Sequence, residues 1–426
     1  MSDSYDAIVV GLGAMGSAAA YQLARRGARV LALEQFWVGH KLGSSHGHHR
    51  MIRRTAPSPQ LEPLIARAFE LWREIEAESG QSIMNLIGEV ALVQVRPEDP
   101  ADEHVDEVLE DAIEEADGAI DEAPSEEIVD AAAELQRRKE RLEPALDVKR
   151  AEIRERFGGR VEVLERSELR ERFPGFRLFP DIIPTFEAEA GYLRPEAAIQ
   201  AQRELAERRG AELHDLEPVT GWHVDGEGVQ VDTAMGTYRA GRLIVTPGPW
   251  APELLIELGL PLEVQRIVNV YFQPQRTDWW TAENGAPDFL LNVEEGEFYG
   301  MPSIERLGVK IGRHDNGTPT TADGINRDVS GDEVEALRQV LDKYMPGSIG
   351  RVLQTVTCMY TMTPDNQYIL DRHPEINQLL YACGFSGTGF KFSCVVGEIL
   401  AELALEGKSR IGIDFMAARR FAEAKW

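Results

Sequence analysis

Gly11-Leu12-Gly13-Ala14-Met15-Gly16 follows directly on the apolar run Tyr5-Asp6-Ala7-Ile8-Val9-Val10. A short apolar run of this kind is typical of a buried parallel strand. Residues 17–27 have helical spacing, with Ala20, Leu23 and Ala24 apolar, and end at Gly27. Val30-Leu31-Ala32-Leu33 is a second apolar strand, closed by Glu34. Strand, glycine loop, helix and strand make a βαβ unit of about thirty residues. Gly11 permits a tight turn, Gly13 lets the backbone approach a pyrophosphate, and Gly16 allows the helix to pack close to the strand. The helix N-terminus supplies amide donors to phosphates. Glu34 stands where a carboxylate accepts from ribose hydroxyls. The pattern predicts a dinucleotide site and by itself does not separate FAD from NAD.

The remaining chain must complete a large α/β body. At 426 residues it exceeds one simple core. A hydrophobic fraction of 43% and a charged fraction of 27% fit a soluble globular protein. No apolar run approaches the roughly twenty residues of a membrane helix, so no membrane contact is expected. No basic region with an apolar signal core precedes the first strand, and a cytoplasmic protein is expected. Cys358, Cys383 and Cys394 are too few and too clustered for a disulfide framework.

The net charge is −27, but residues 98–134 hold seventeen Asp or Glu and no Lys or Arg, leaving −10 for the rest. The acidity is one local block, and nucleic-acid binding, which needs a basic face, is not expected. Within the block Val105, Val108, Leu109, Ala112, Ile113 and Ala116 recur at helical spacing. Residues 102–156 read as a helical insertion, a protruding hairpin broken at Pro144, that is either a solvated appendage or an oligomer or partner contact. Residues 63–79 read as an amphipathic helix with Ala66, Phe69, Leu71 and Trp72 inward. Strands are expected at 89–95, 160–164, 228–233, 236–240, 242–246, 269–273, 298–302, 308–312 and 379–383, and helices at 195–209 and 392–407.

Four further stretches carry chemistry. In Gly43-Ser44-Ser45-His46-Gly47-His48-His49-Arg50-Met51-Ile52-Arg53, three histidines suggest a metal, but no carboxylate or cysteine partner lies nearby and no metal is expected. Arg50 and Arg53 are spaced to face one pocket and hold a carboxylate. Lys310, in the apolar strand Gly308-Val309-Lys310-Ile311-Gly312, must snorkel out or occupy a polar pocket. Cys358 and Tyr360 place a thiol and a phenol side by side. Gly384-Phe385-Ser386-Gly387-Thr388-Gly389 is a second glycine loop, leading to Lys391.

Jointly these stretches resemble the monomeric sarcosine oxidase and N-methyltryptophan oxidase family of FAD-dependent amine oxidases. The shared patterns are the glycine fingerprint, residues 43–53, Tyr-Gly-x-Pro-Ser at 299–303, Gly-x-Lys-x-Gly-x-His at 308–314, Cys-Met-Tyr-Thr at 358–361, and residues 384–392. They lie in order over nearly the whole chain except the insertion. The resemblance implies an α/β (α+β mixed) fold: a Rossmann-like FAD-binding domain, a second domain of mostly antiparallel sheet roofing the flavin, and the helical acidic insertion. Approximate segments are 1–90, 160–220, 228–250 and 350–426 for the first, 91–97 and 251–349 for the second, and 98–159 for the insertion.

It also implies roles. Cys358 carries an 8α-S-cysteinyl bond to FAD, and Arg50 sits beside the flavin ring. Gly11, Gly13, Met15, Gly16, Glu34, Ser44, His49, Gly387, Gly389 and Lys391 bind the cofactor. Arg53 and Lys391 bind the substrate carboxylate. Tyr299, Tyr360, His314, Leu290 and Thr388 line the amine pocket, and Lys310 promotes the reaction with oxygen. The family usually has His at 45, Thr at 49, His at 388 and Met at 290, where this chain has Ser45, His49, Thr388 and Leu290. Those departures leave the substrate side chain open. The implied activity is oxidation of the C–N bond of sarcosine or another N-methyl amino acid by oxygen, with hydrogen peroxide as product. A pipecolate- or proline-like oxidase is the nearest alternative. A dehydrogenase passing electrons to a protein partner is a further one, against which Lys310 argues. The expected partners are a small amino acid and oxygen, and the chain is monomeric or homo-oligomeric.

Overall fold

A computed structural model of the protein describes residues 4–56, 58–95 and 126–421. The acidic helical pattern at Val105–Ala116 lies outside the described residues.

The βαβ unit is present as β1 (Tyr5–Val10), α1 (Ala14–Arg25) and β2 (Val30–Leu33). β1 runs parallel to β2 on one side and to Thr237–Val245 on the other. Glu212–His214 extends this parallel sheet beyond β2, and Leu379–Cys383 extends it beyond Thr237–Val245. β2 and Leu379–Cys383 are apolar and buried along their whole length because both faces are covered, whereas the edge strand Glu212–His214 is partly exposed. One face packs against α1, Glu62–Ser79, Pro195–Glu207 and Ser393–Leu405, with Tyr21, Trp72, Phe392 and Ile399 fully buried. Val219–Asp225 and Gly228–Thr233 form an antiparallel arm on the outer half of Thr237–Val245. The two short strands expected at 236–240 and 242–246 are therefore one strand that serves three partners.

A second sheet of nine strands is antiparallel except where Asp288–Val293 meets Glu89–Gln94. Its two faces differ, as period-two alternation requires. Val90, Leu92, Phe289, Leu291, Phe298, Val309 and Ile311 lie on one face, in a core closed by the helix Gly331–Tyr344. The alternate positions, including Glu89, Asp288, Tyr299 and Lys310, belong to the other face. Arg50–Ile52, Gly191–Leu193 and Met84–Leu86 form a small third sheet.

Two local expectations are corrected. Ala66 is exposed, and the buried stripe of its helix is Leu64, Ile65, Ala68, Phe69, Leu71, Trp72 and Ile75. The helix Glu126–Phe157 runs through Pro144 without a break. An internal proline costs about 3 kcal/mol. Leu142, Leu146 and Ile153, buried against Ile183 of the second sheet, offset that cost.

Candidate active site

The glycine loop is built as its residue types require. Gly11 adopts φ +90°, and a Cβ there would come within 2.5 Å of the Thr246 carbonyl oxygen. A Cβ on Gly16 would lie 1.7 Å from the Gly11 oxygen, so no side chain fits. Ser45 Oγ accepts from the Ala14 amide at 3.1 Å, at the first turn of α1. Glu34 is buried, and its carboxylate accepts from the Leu12 amide at 2.8 Å and the Phe36 amide at 3.1 Å. That fixes an acid at the end of β2, facing a cavity of about 390 Å³.

A second cavity, of about 130 Å³, shares Gly13, Ser44, Ser45, Thr246 and Gly248 with the first and reaches Met15, Arg50, Cys358, Tyr360 and Gly387. The two therefore form one track from Glu34, past the N-terminus of α1, to Cys358. Its total size is that of a small-molecule pocket. An extended dinucleotide with a nucleoside at Glu34 and a redox ring at Cys358 fits this shape. Cys358 and Tyr360, two apart on Val352–Met362, face the same side.

Arg50 organises the far end. Its guanidinium donates to the carbonyls of Ser44 (3.1 Å), His46 (2.5 Å) and His49 (3.0 Å), and lies 3.9 Å from Cys358 Sγ. His46 and His49 are buried. His46 has Nδ1 2.9 Å from the Gly43 carbonyl oxygen and Nε2 3.2 Å from that of Thr357; burial pushes its pKa down to about 4, so at neutral pH it donates to one of the two. His49 stacks edge-on to Tyr192 at 4.7 Å, and burial with the nearby Lys310 charge pushes it down to about 3. Among the described residues, no three His, Cys, Asp or Glu side chains converge on a metal position.

Lys310 is buried, with Nζ 3.4 Å from the His49 carbonyl oxygen and 5.3 Å from the Tyr299 ring centre. Burial first, then the Arg50 charge, lowers its pKa to about 7. Tyr360 donates to Tyr299 at 3.2 Å, and Tyr299 donates to Asn269 Oδ1 at 2.9 Å. His314 stands 5.5 Å from the Tyr360 ring and 6.3 Å from the Tyr299 ring. Leu290 pairs across the sheet with Tyr299. Gly387, at φ +75°, lies under the Tyr360 ring, where a Cβ would meet it at 2.5 Å. A Cβ on Gly389 would meet Phe385 at 2.4 Å.

Arg53 and Lys391 lie close enough for their charges to act on one another. Each lowers the pKa of the half-buried His314, after burial itself. Lys391 donates to the Thr388 carbonyl at 2.9 Å, and burial with the Arg53 charge lowers its pKa to about 7. The Thr388 hydroxyl bonds to Tyr368 at 2.8 Å.

This arrangement pairs a dinucleotide track with a cluster of cations and aromatic rings, in which Lys310 and Lys391 are buried. Residues 6–403 match the family of FAD dependent oxidoreductases. The chain belongs to this family. It is similar over its full length to a monomeric sarcosine oxidase of Streptomyces avermitilis, at 37% identity with all of both chains covered. It is 31% identical to an N-methyl-L-tryptophan oxidase of Citrobacter koseri, over 95% of each chain. It thus falls in the sarcosine oxidase and N-methyltryptophan oxidase branch. Among solved structures, L-proline dehydrogenase from P. horikoshii shares the fold, with a TM-score of 0.74 at 21% identity over 99% of each chain.

Sequence reasoning missed three polar residues in this FAD-dependent oxidoreductase. Asn269 orients Tyr299. Glu89 receives Arg53 Nη1 at 3.4 Å. Asp288 is wholly buried, and no described protein group donates to either of its oxygens. The available signal was an acid opening each of two apolar strands, Glu89-Val90-Ala91-Leu92 and Asp288-Phe289-Leu290-Leu291. Among the described residues, no helix is long and apolar enough to cross a membrane.

Proposed function

We propose that this enzyme oxidises the C–N bond of a secondary amino acid, such as sarcosine or another N-methyl amino acid, with oxygen as acceptor. The observation that carries the reading is a cluster of rings, Tyr299, Tyr360 and His314, with cations around it: the Arg53 and Lys391 charges act on His314, and Lys310 Nζ lies 5.3 Å from the Tyr299 ring centre. Arg53 and Lys391 are suited to a substrate carboxylate, and Lys310 with Arg50 lies toward Cys358. A carboxylate held by Arg53 and Lys391 sets the adjacent amine between Tyr299, Tyr360 and His314. When bound, FAD supplies the acceptor for a hydride equivalent from the carbon next to nitrogen, and the electron pair passes to oxygen as hydrogen peroxide. The resulting imine takes up water and breaks at the C–N bond, giving aldehyde and primary amine for an N-methyl substrate. The residues bind, orient and set the charge, and the cofactor carries the redox chemistry.

Lys310 is the residue assigned to oxygen, because negative charge develops there in a site shielded from water. That role favours an oxidase over a dehydrogenase. The FAD-binding domain is assigned to the parallel sheet and its helices, and the substrate domain to the nine-stranded sheet. Oxygen uptake across N-methyl and cyclic amino acids tests the activity. No uptake with any of them, alongside turnover with dyes in the absence of oxygen, would favour a dehydrogenase.

Cys358 is assigned to a thioether bond to FAD, supported by its position at the end of the track and by the neighbouring Arg50 guanidinium. Acid precipitation of the yellow protein is expected to leave the colour in the pellet. Cys358→Ser is expected to release it to the supernatant. A colourless pellet from the unmodified protein would remove the covalent assignment.

A further inference from the structure

Glu89 and Asp288 lie side by side in register on adjacent parallel strands, and Glu187 pairs with Glu89 on its other side. All three are buried. Glu187 is committed, accepting from the amides of Arg54 and Thr55 at 2.5 and 3.1 Å and from the Thr55 hydroxyl at 2.6 Å. Glu89 Oε1 meets only Arg53 at 3.4 Å, while Glu89 Oε2 and both Asp288 oxygens have no described protein donor. Both acids sit on the face of the sheet that carries Tyr299 and Lys310, opposite the Phe289 and Leu291 core.

Two requirements meet here. A substrate carboxylate on Arg53 competes with Glu89 for the same guanidinium, and a proton on Glu89 relieves the competition. The substrate arrives as a zwitterion, and its ammonium must lose a proton before the C–N bond can be oxidised. We propose that Glu89, with Asp288 beside it, is the acceptor of that proton. One N–H bond of the ammonium breaks and one O–H bond forms on the acid pair. The substrate carboxylate then replaces the Glu89 carboxylate as counter-charge to Arg53, so the net charge of the pocket is unchanged. The inference rests on the amino acid reading above.

The electrostatics support it. Burial first raises Glu89 to about 7, with Glu187 adding to the rise and Arg53 and Lys391 opposing it. Burial and then Glu89 raise Asp288 well above the usual carboxylate range, against the pull of Lys310. The pair thus binds a proton near neutral pH, where free carboxylates do not. Since a raised acid is protonated below its pKa, proton acceptance fails as pH falls through about 7.

Two measurements test this. The first needs no variant. Methoxyacetate, a carboxylate with no amine, is titrated into the holoenzyme at pH 8 in two buffers of different ionisation enthalpy. One proton taken from solution per ligand is expected, and none for Glu89→Gln. No uptake by the unmodified enzyme overturns the proposal, whether or not the enzyme is an oxidase. The second is the pH profile of kcat/KM with an N-methyl amino acid. The unmodified enzyme is expected to level off above pH 7, whereas Glu89→Gln keeps rising by about tenfold per pH unit toward the pKa of the amine. An unchanged profile in Glu89→Gln overturns the proposal, and absence of turnover with every amino acid overturns the functional reading instead.

Discussion

Lys310→Met is expected to slow reoxidation of the reduced enzyme by oxygen about 10²–10³-fold, the range for removing one preorganised charge-stabilising group, and to change reduction by substrate only slightly. Methionine matches the lysine stem in length and removes the charge, so packing is nearly conserved. The lysine lies in a strand between Val309 and Ile311, both wholly buried, and its ammonium meets one carbonyl and one aromatic face. A cation so poorly solvated is unfavourable unless negative charge develops beside it. Oxygen accepting electrons supplies that charge, and amine oxidation does not. Stopped-flow mixing separates the two half-reactions. Equal losses in both would mean that Lys310 serves the architecture or the substrate. The pH dependence has a definite sign. Lys310 is held down to about 7, so it is charged below that value and loses its charge as pH rises. Reoxidation is expected to decline at pH values at or above 7 in the unmodified enzyme and to be flat in the variant.

Arg53→Ala is expected to raise the half-saturating concentration of carboxylate substrates by roughly 10- to 150-fold, the equivalent of a charged hydrogen bond worth about 1.5–3 kcal/mol. Secondary amines without a carboxylate are expected to be unaffected. Arg53→Lys keeps the charge and loses the planar fork, and should fall between. Initial rates over a concentration series with an amino acid and its decarboxylated counterpart decide the matter. Matching losses for both would remove Arg53 from carboxylate binding.

The dinucleotide end of this enzyme was legible because its chemistry is local. Gly11, Gly13, Gly16 and Glu34 lie within one βαβ unit, and each is dictated by a backbone or phosphate requirement that its own position announces. The other end depends on register between distant strands. Nothing in the sequence pairs Asp288 with Glu89, about two hundred residues away, or sets Lys310 across from Tyr271. Arg53, Lys310, Cys358 and Lys391 stand out in the sequence by spacing and context, and family resemblance supplies their roles. Glu89, the acid paired with Arg53, carries no motif. Ile182–Glu187 was missed because Pro184 interrupts its apolar run, although Pro184 sits inside the sheet opposite Leu92. The helix at Glu126–Phe157 shows the opposite failure, since Pro144 was read as a break and tertiary packing overrode it.

The most direct test of the account is anaerobic titration of the purified protein with N-methyl and cyclic amino acids while the visible flavin band is followed, and then admission of oxygen. The account predicts bleaching by a secondary amino acid and full return of colour in oxygen, with one hydrogen peroxide formed for each amine consumed. A flavin that no secondary amino acid bleaches would contradict it.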